Sequence, residues 1–502
     1  MRYGIIDIGS NTFRLIIAEV GDDYYSITDG FKETVRLSAG LDENNILSEE
    51  KLNYGFKTLK MFKKYCELSK TDEIKVVATA ALRKAENRDL FLKKARLELN
   101  LEVQLLSGDE EAKYDFLGSV NSISIKDFLF MDIGGGSTEI GLVKNRQLQE
   151  EISIPIGAVD LARKFYLENN ISKNNLKDLE TYLEKEVKKI DWLKKNNELP
   201  LIGIGGTIRN IGKIKKREIH YPLNSMHNFE IELKDVKSIY DKVSNKNLED
   251  RKKINGLGSD RADIFVGATC AVKKVMEYSN SSKLVISREG VREGLIYSKL
   301  GYNLDNTVKN PLKFSVKNML KVYDSDIEHP EHVLFLFTKL FTELNDVHNI
   351  KEDVSNIIYA SAMLHDIGKM LDYKNHYEHS FYIMLNSILR GLSNEEQLKA
   401  SIVAGLHTGS KLKINKKQYK KIKKLFSKEE VKTLKKLGVL LAIAEGLDRS
   451  LSLKVKDLKC RRIKDYVMIK TINYDDISIE LTYLKKFKND FKKRFGLEMM
   501  IV

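Results

Sequence analysis

Cysteine is scarce: Cys66, Cys270 and Cys460 are the whole complement in 502 residues. Thiols so few and so scattered exclude a disulfide framework and a cysteine-built metal site, and they suit a reducing compartment. Long hydrophobic runs are lacking too, and no stretch approaches the roughly 18 apolar residues that a membrane-spanning helix needs. The chain enters a strand-like run at once, without a basic and apolar leader. These absences predict a soluble, cytoplasmic protein with no membrane partner. No recognisable nucleic-acid-binding motif is present, and Tyr419 and Phe426 alone make no stacking platform, so nucleic acid is not an expected partner.

Positive charge is what the chain has in excess, with a net +14 at pH 7. It is not spread evenly: twelve lysines stand between Lys411 and Lys436 against Glu429 and Glu430. A stretch of this kind is either a solvated helical face or a landing surface for a polyanion.

Glycine carries the clearest pattern. MDIGGGSTEIGLV, residues 131 to 143, runs from Asp132 through Gly134, Gly135 and Gly136 to Ser137, Thr138 and Glu139. IIDIGSNTFRLIIAEV, residues 5 to 20, has the same order, with Asp7, Gly9, Ser10, Asn11, Thr12 and Arg14. Each copy reads as a β-hairpin, an apolar run into Asp and Gly and a β-branched run out. Glycine there lets backbone N–H groups close on a ligand. Hydroxyls add donors, and an Asp at a strand end can hold a divalent cation. The ligand so described is a phosphate with its metal. A third glycine stretch, LIGIGGTIRNIG at 201 to 212, brings Gly205, Gly206 and Thr207.

A chain of 502 residues has room for about three domains. Residues 1–125 alternate strands and helices. EIKVVATAALRKAENR reads as a strand and a turn over Ala80 to Arg83, and LEVQLLSG as a strand over 101 to 108. The latter feeds a helix whose first turn holds Asp109, Glu110 and Glu111, where acids suit the helix dipole. Residues 126–302 begin again with a hairpin. The result is a duplicated α/β architecture with the two glycine turns across a cleft. From 303 to 502 helical periodicity takes over, followed by a small α/β extension in which DYVMIKTINYDDISIELTYL alternates like a hairpin.

With DIGSNTFRL, TAALRKAENR, GDEEAKYDFLG, DIGGGSTEI, IPIGAVDL and GIGGT in order, the first 300 residues or so resemble the exopolyphosphatase and guanosine pentaphosphate phosphohydrolase family. The resemblance implies actin-like and sugar-kinase-like (ribonuclease H-like) lobes and hydrolysis of a phosphoanhydride by in-line attack of water. Glu111, matching the catalytic glutamate of the GDEEA motif, would orient and deprotonate that water. Asp7, Asp132 and Glu139 would place Mg²⁺, with Asp132 and Glu139 also serving the catalytic shell. Gly9, Ser10, Asn11 and Thr12 would cradle phosphates from one side, Gly134 to Thr138 from the other. Arg14 and Arg83 are candidates to clamp phosphate oxygens, and Gly205, Gly206 and Thr207 stand where kinase-like relatives hold adenosine. Arg261 and Arg292 also match family positions, without an assigned role. The family further implies a homodimer.

LHDIGK in the helical part sets His365 beside Asp366, with His332 upstream, Asp448 downstream, and His376, His379 and His407 between. This order resembles HD-domain metal-dependent phosphohydrolases, and it implies a second divalent metal on His332, His365, Asp366 and Asp448. Long-form relatives generally carry this domain as a relic for dimerisation and polymer binding, whereas here the doublet is intact. If the domain binds polymer, the lysine stretch would hold a threaded phosphate chain between cleavages.

The reading is therefore a Mg²⁺-dependent exopolyphosphatase acting processively on polyphosphate, with guanosine pentaphosphate (pppGpp) 5′-phosphohydrolysis as the nearest alternative. An ATP-dependent kinase on the same fold is opposed by Glu111 in the family motif. An actin-like nucleotide-binding or polyphosphate-binding protein without activity would need only the glycine turns and the basic part.

Overall fold

The run RYGIIDI is almost continuously apolar, as befits a strand covered on both faces. In the computed structural model, which describes residues 1–409, 425–473 and 475–502, it forms β1 (Arg2–Ile8), the middle of a five-stranded sheet. Antiparallel to it runs β2 (Phe13–Val20), followed by β3 (Tyr25–Glu33). On the other side lie β4 (Glu73–Ala78) and β5 (Val103–Leu105), both parallel. The order is β3-β2-β1-β4-β5.

The second sheet repeats that plan. Its β6 (Phe128–Ile133), β7 (Thr138–Lys144) and β8 (Gln147–Ile154) form an antiparallel meander, and β9 (Leu201–Ile204) lies parallel to β6. The order is β10-β11-β9-β6-β7-β8, where β10 (Phe229–Glu232) is an antiparallel addition at the edge of β11 (Lys283–Ile286). Removing β10 leaves the two sheets with one topology, the duplicated actin-like arrangement. Ile6, Ile8, Phe13, Leu15, Phe62, Val76 and Phe91 form the core under the first sheet. Phe116, Phe128, Phe130, Ile202 and Val285 belong to that of the second.

Two local expectations change. Ala80–Lys84 is a short helix rather than a turn. The strand expected over 101 to 108 shrinks to Val103–Leu105. At its start Leu101 N–H is taken by the Ala95 carbonyl, which ends the preceding helix; at its end Ser107 leaves the sheet to cap the next one.

The chain divides into two compact units, Met1–His220 with Met226–Pro311, and Tyr221–Ser225 with Leu312–Val502. In the second unit, the helices Glu328–Glu343, Ser355–Leu364, His376–Asn386, Asn394–Ala404 and Lys428–Gly446 enclose one core that includes Leu336, Phe337, Leu340, Leu364, Leu437 and Leu441. A small sheet, β12-β13-β14, ends it. There β13 (Tyr466–Asn473) pairs with β12 upstream (Val455–Ile463) and with β14 (Glu498–Ile501). ISIELTYL, expected as the return strand, begins the helix Ser478–Leu484, whose Ser478 N–H is received by Asp476. Of the lysine stretch, 411–424 lie outside the described residues; among the others, Lys436 donates to the His348 carbonyl and Lys432 pairs with Glu429.

Candidate functional site

Both hairpins close in the same way. Gly9 N–H donates to the Thr12 carbonyl at 3.2 Å, and Gly134 N–H to the Ser137 carbonyl at 3.0 Å. The register then sets Asp7 opposite Arg14 and Asp132 opposite Glu139. Duplication has kept the acid at the strand end and changed its partner from a cation in one lobe to a second acid in the other.

The turns meet across the cleft. A Cβ on Gly135 would come within 2.8 Å of Ser10 Cβ, so only glycine permits this approach. Gly205 starts the helix Gly205–Glu218 with φ +89°, in the left-handed region that favours glycine, and a Cβ there would sit 2.2 Å from Asp132 Oδ1. The third glycine stretch therefore exists to let a strand-to-helix turn pass against the Asp132 carboxylate.

Glu111 owes its place to a helix cap. Ser107 Oγ accepts the Glu110 N–H at 3.1 Å while the Glu110 carboxylate accepts the Ser107 N–H at 2.8 Å. This capping box fixes the first turn of Gly108–Val120, uses up Glu110, and turns the buried Glu111 into the cleft. Burial, and then the Glu139 charge, lift its carboxyl well above the usual glutamate range, against the pull of Arg83.

The other acids are crowded likewise. Desolvation and the neighbouring Asp132 push Glu139 up to about 7. Desolvation, together with Asp7 and against Arg209, leaves Asp132 up at about 6. Ser153 donates to Glu139 Oε1 at 2.8 Å, while Oε2 is buried without a hydrogen-bond partner. Asp115, one helical turn beyond Glu111, is fully buried, and burial raises it well above its ordinary value.

Facing these acids, Arg14, Arg209, Arg261, Arg288 and Arg292 line the same cleft. Desolvation, then Arg14, Arg292 and Arg261, pull the Arg209 guanidinium down from its ordinary value. Desolvation and Arg292 do the same to Arg14. Cations held this close repel one another, and an anion carrying several charges would relieve them.

Asp7, Gly9, Ser10, Asn11, Thr12, Arg14, Glu111, Asp132, Gly134, Gly135, Ser137, Gly205 and Gly206 line the cleft. Five expected site residues stand behind it. Arg83, assigned to phosphate, instead contacts Glu111 Oε2 at 3.2 Å and the Leu106 carbonyl at 2.5 Å. Thr138 Oγ1 is spent on the Ile156 carbonyl, Thr207 is buried in its helix, and Glu139 turns to Ser153. The Gly136 carbonyl is held by Lys84 at 2.7 Å. Arg209 and Arg288 were not anticipated; the signal for Arg209 is its place one turn into a helix that starts on glycine.

The acids fit a divalent ion of the Mg²⁺ kind. Glu139 Oε2 lacks a partner, and burial holds Asp7, Asp132 and Glu139 itself above their ordinary range, with Asp7 adding to the shift of Asp132 and Asp132 to that of Glu139. Among the described residues the ligand atoms of these acids form no group of three within 4.8 Å of one another.

In the helical unit the chemistry is different. His329, His365 and Asp366 form one group of potential ligands and Asp366, His376 and His407 another, with donor atoms in each within 4.8 Å of one another. Two of the four expected ligands stand a step back. His332 Nε2 donates to the Val455 carbonyl at 2.8 Å, and Asp448 receives His329 Nδ1 at 2.7 Å and lies 3.2 Å from His332 Nδ1. His329, three residues earlier on the same helix, takes the inward place. His379 belongs to neither group.

Two copies of one α/β lobe, with glycine turns meeting over a cleft of acids and arginines, define the class: a duplicated-lobe phosphate-handling protein of actin-like architecture. The chain belongs to the Ppx/GppA phosphatase family, whose model matches residues 16–303, while the model for domain III of Ppx/GppA phosphatases matches 313–487. The crystal structure of the Aquifex aeolicus family member is similar at 28% identity and TM-score 0.53, covering 60% of this chain and 97% of that one. An exopolyphosphatase from Cytophaga hutchinsonii shares the fold at 23% identity and TM-score 0.57, covering 60% of this chain and 98% of that one.

Proposed function

We propose that the cleft releases orthophosphate from the ends of inorganic polyphosphate. The observation that carries this reading is the set of mutually repelling arginines opposite a buried glutamate. Such a lining, filled out by glycine amides and hydroxyls, matches a ligand that is phosphate along its length.

In this mechanism the terminal phosphoryl lies against the turns Gly9–Thr12 and Gly134–Ser137, whose hydroxyls and N–H groups not used in closing the hairpins would face it. Arg14, Arg209, Arg261 and Arg292 hold its oxygens and those of the next phosphate, compensating charge that spreads as the bond loosens. Glu111 accepts a proton from the attacking water. The water oxygen bonds to phosphorus as the bridging P–O bond breaks, and the shortened chain leaves as a phosphate anion. Arg83 aims Glu111 and favours its ionised form against burial. Asp7, Asp132 and Glu139 would hold Mg²⁺, which when bound neutralises phosphate charge.

Guanosine pentaphosphate presents the same kind of phosphoanhydride end and is the second substrate to weigh. Phosphate release with Mg²⁺ from long polyphosphate and from guanosine pentaphosphate, measured side by side for the wild type and Glu111→Gln, separates the two. Preference for the polymer, abolished in the variant, is the expected result. Preference for the nucleotide would move the assignment to the alarmone, and activity surviving in Glu111→Gln would overturn the cleft as the site.

A further inference from the structure

Arg36 lines no part of the cleft, yet it is tied to both of its walls. Its backbone is left-handed, with φ 57° and ψ 52°, a conformation uncommon outside glycine. Two bonds hold it there: the Arg36 N–H donates to the Asn11 carbonyl at 2.9 Å, and the Ser38 N–H to the Ser10 carbonyl at 3.0 Å. Residues 36–38 are therefore fastened to the first glycine turn, which carries hydroxyls into the cleft.

From that base the side chain reaches residues 258–263 of the second lobe, within the same compact unit. Arg36 Nη1 donates to Asp263 Oδ2 at 2.7 Å and Nη2 to the Asp260 carbonyl at 3.2 Å. Arg261 stands between those two residues and lines the cleft. Its guanidinium lies so near Gly206 that a Cβ there would sit 2.3 Å from Arg261 Cζ. The second lobe holds the same segment by contacts of its own: the buried Arg251 donates to the Ala262 carbonyl at 3.0 Å, and Asn210 Oδ1 accepts the Gly258 N–H at 2.8 Å. Those bonds fix the segment to its own lobe, and Arg36 fixes it to the other.

Lys32 pairs with Asp260 Oδ2 at 2.5 Å, so each acid flanking Arg261 is engaged by a cation of the first lobe. Neither is left to draw the Arg261 guanidinium away from phosphate. The Arg36 side chain is 38% exposed, and ion pairs that reach solvent add little to stability. A planar fork that grips a carboxylate and a carbonyl together does give direction. We infer, on the reading of the cleft given above, that Arg36 is a positioning residue: it sets Arg261 against the Ser10–Asn11 turn so that both meet the same end of the substrate.

Phosphate release with Mg²⁺ from long polyphosphate and from guanosine pentaphosphate is measured for the wild type, Arg36→Gln, Arg36→Lys, Arg261→Gln and the double variant of Arg36→Gln with Arg261→Gln, each checked for folding by circular dichroism. On whichever substrate the wild type prefers, Arg36→Gln should lower kcat/KM by about 10- to 10²-fold, the usual consequence of a misplaced group. Arg36→Lys keeps the charge without the fork and should fall between. In the Arg261→Gln background, Arg36→Gln should cost less than about twofold, because the group it positions is gone. A full further loss in that background overturns the inference, as does wild-type activity in Arg36→Gln. Amide hydrogen exchange reads the same contact without any substrate. The Arg261 N–H bonds to the Gly258 carbonyl at 3.0 Å and the Ile264 N–H to the Arg261 carbonyl at 3.1 Å, and exchange over 258–264 should be faster in Arg36→Gln than in the wild type. Equal exchange overturns the inference even where activity falls. Release from neither substrate by the wild type would overturn the function proposed for the cleft, and exchange alone would then decide whether Arg36 holds the segment.

Discussion

Arg83 Nη1 stands 3.2 Å from Glu111 Oε2 and bonds at the same time to the Leu106 carbonyl. The guanidinium is thus anchored to the backbone on one side and holds the carboxylate on the other, a positioning role rather than a phosphate clamp. Glu111→Gln should lower kcat by about 10²–10⁴ with little change in KM. In Arg83→Ala the cation that opposes the upward shift of Glu111 is gone, so the acid limb of the kcat–pH profile should move to higher pH, with activity partly restored in alkaline buffer. Arg83→Lys should fall between. A rise in KM with an unmoved pH limb would return Arg83 to substrate binding.

Glu139 predicts a pH dependence of stability. Its folded-state value of about 7 lies above the ordinary 4.5, so the folded protein binds this proton more tightly than the unfolded chain. Stability from that proton is full below the ordinary value and is lost as pH rises through about 7. Glu139→Gln keeps an acceptor for Ser153 and removes the loss. In chelator, its unfolding free energy should exceed the wild type's at pH 8 by up to about 3 kcal/mol and match it near pH 4. Equal stabilities at pH 8 would show that the carboxylate is not strained.

Gly205 and Gly301 offer a controlled pair. Both have positive φ, +89° and +86°, but a Cβ on Gly205 would overlap Asp132 Oδ1 while one on Gly301 meets nothing within 4 Å. Gly301→Ala should cost only the backbone term, about 1–2 kcal/mol, with phosphate release unchanged. Gly205→Ala should cost at least as much and also displace Asp132, so that release falls more than about tenfold, equivalent to 1.4 kcal/mol at the barrier. Equal activity in the two variants would remove Asp132 from the site.

Much of this was legible because it is local. The order Asp, Gly, hydroxyl between two apolar runs defines a hairpin wherever it occurs, and two such runs announced the duplication. The capping box that aims Glu111 lies within four residues. What was not legible depends on neighbours far along the chain. Arg83 reads as a phosphate ligand until Leu106 and Glu111 fold against it. His329 and His332 are three residues apart on one helix, near enough in angle that periodicity cannot rank them. The fold ranks them by giving His332 the Val455 carbonyl and pointing His329 at Asp366. Arg209 belongs to the cleft only because residues far apart in the chain close around it.

The arginines should behave as a ligand-dependent element of stability. Arg14, Arg209, Arg261 and Arg292 line one cleft, where desolvation and neighbouring arginines weaken the charged forms of Arg14 and Arg209 and desolvation weakens that of Arg261, so part of the free energy of polyphosphate binding comes from relieving the repulsion on Arg14 and Arg209. Without ligand, Arg209→Gln, which shortens the side chain but keeps it polar, should be no less stable than the wild type. Short polyphosphate at about 100 times its Kd should stabilise the wild type by about 2.7 kcal/mol, and the same concentration should stabilise Arg209→Gln far less. Added salt should narrow the gap, since screening weakens the field that the remaining arginines exert on an incoming polyanion. A variant destabilised without ligand yet stabilised as fully by polyphosphate would make Arg209 a structural partner of Asp132, and the phosphate-holding role would pass to Arg14, Arg261 and Arg292.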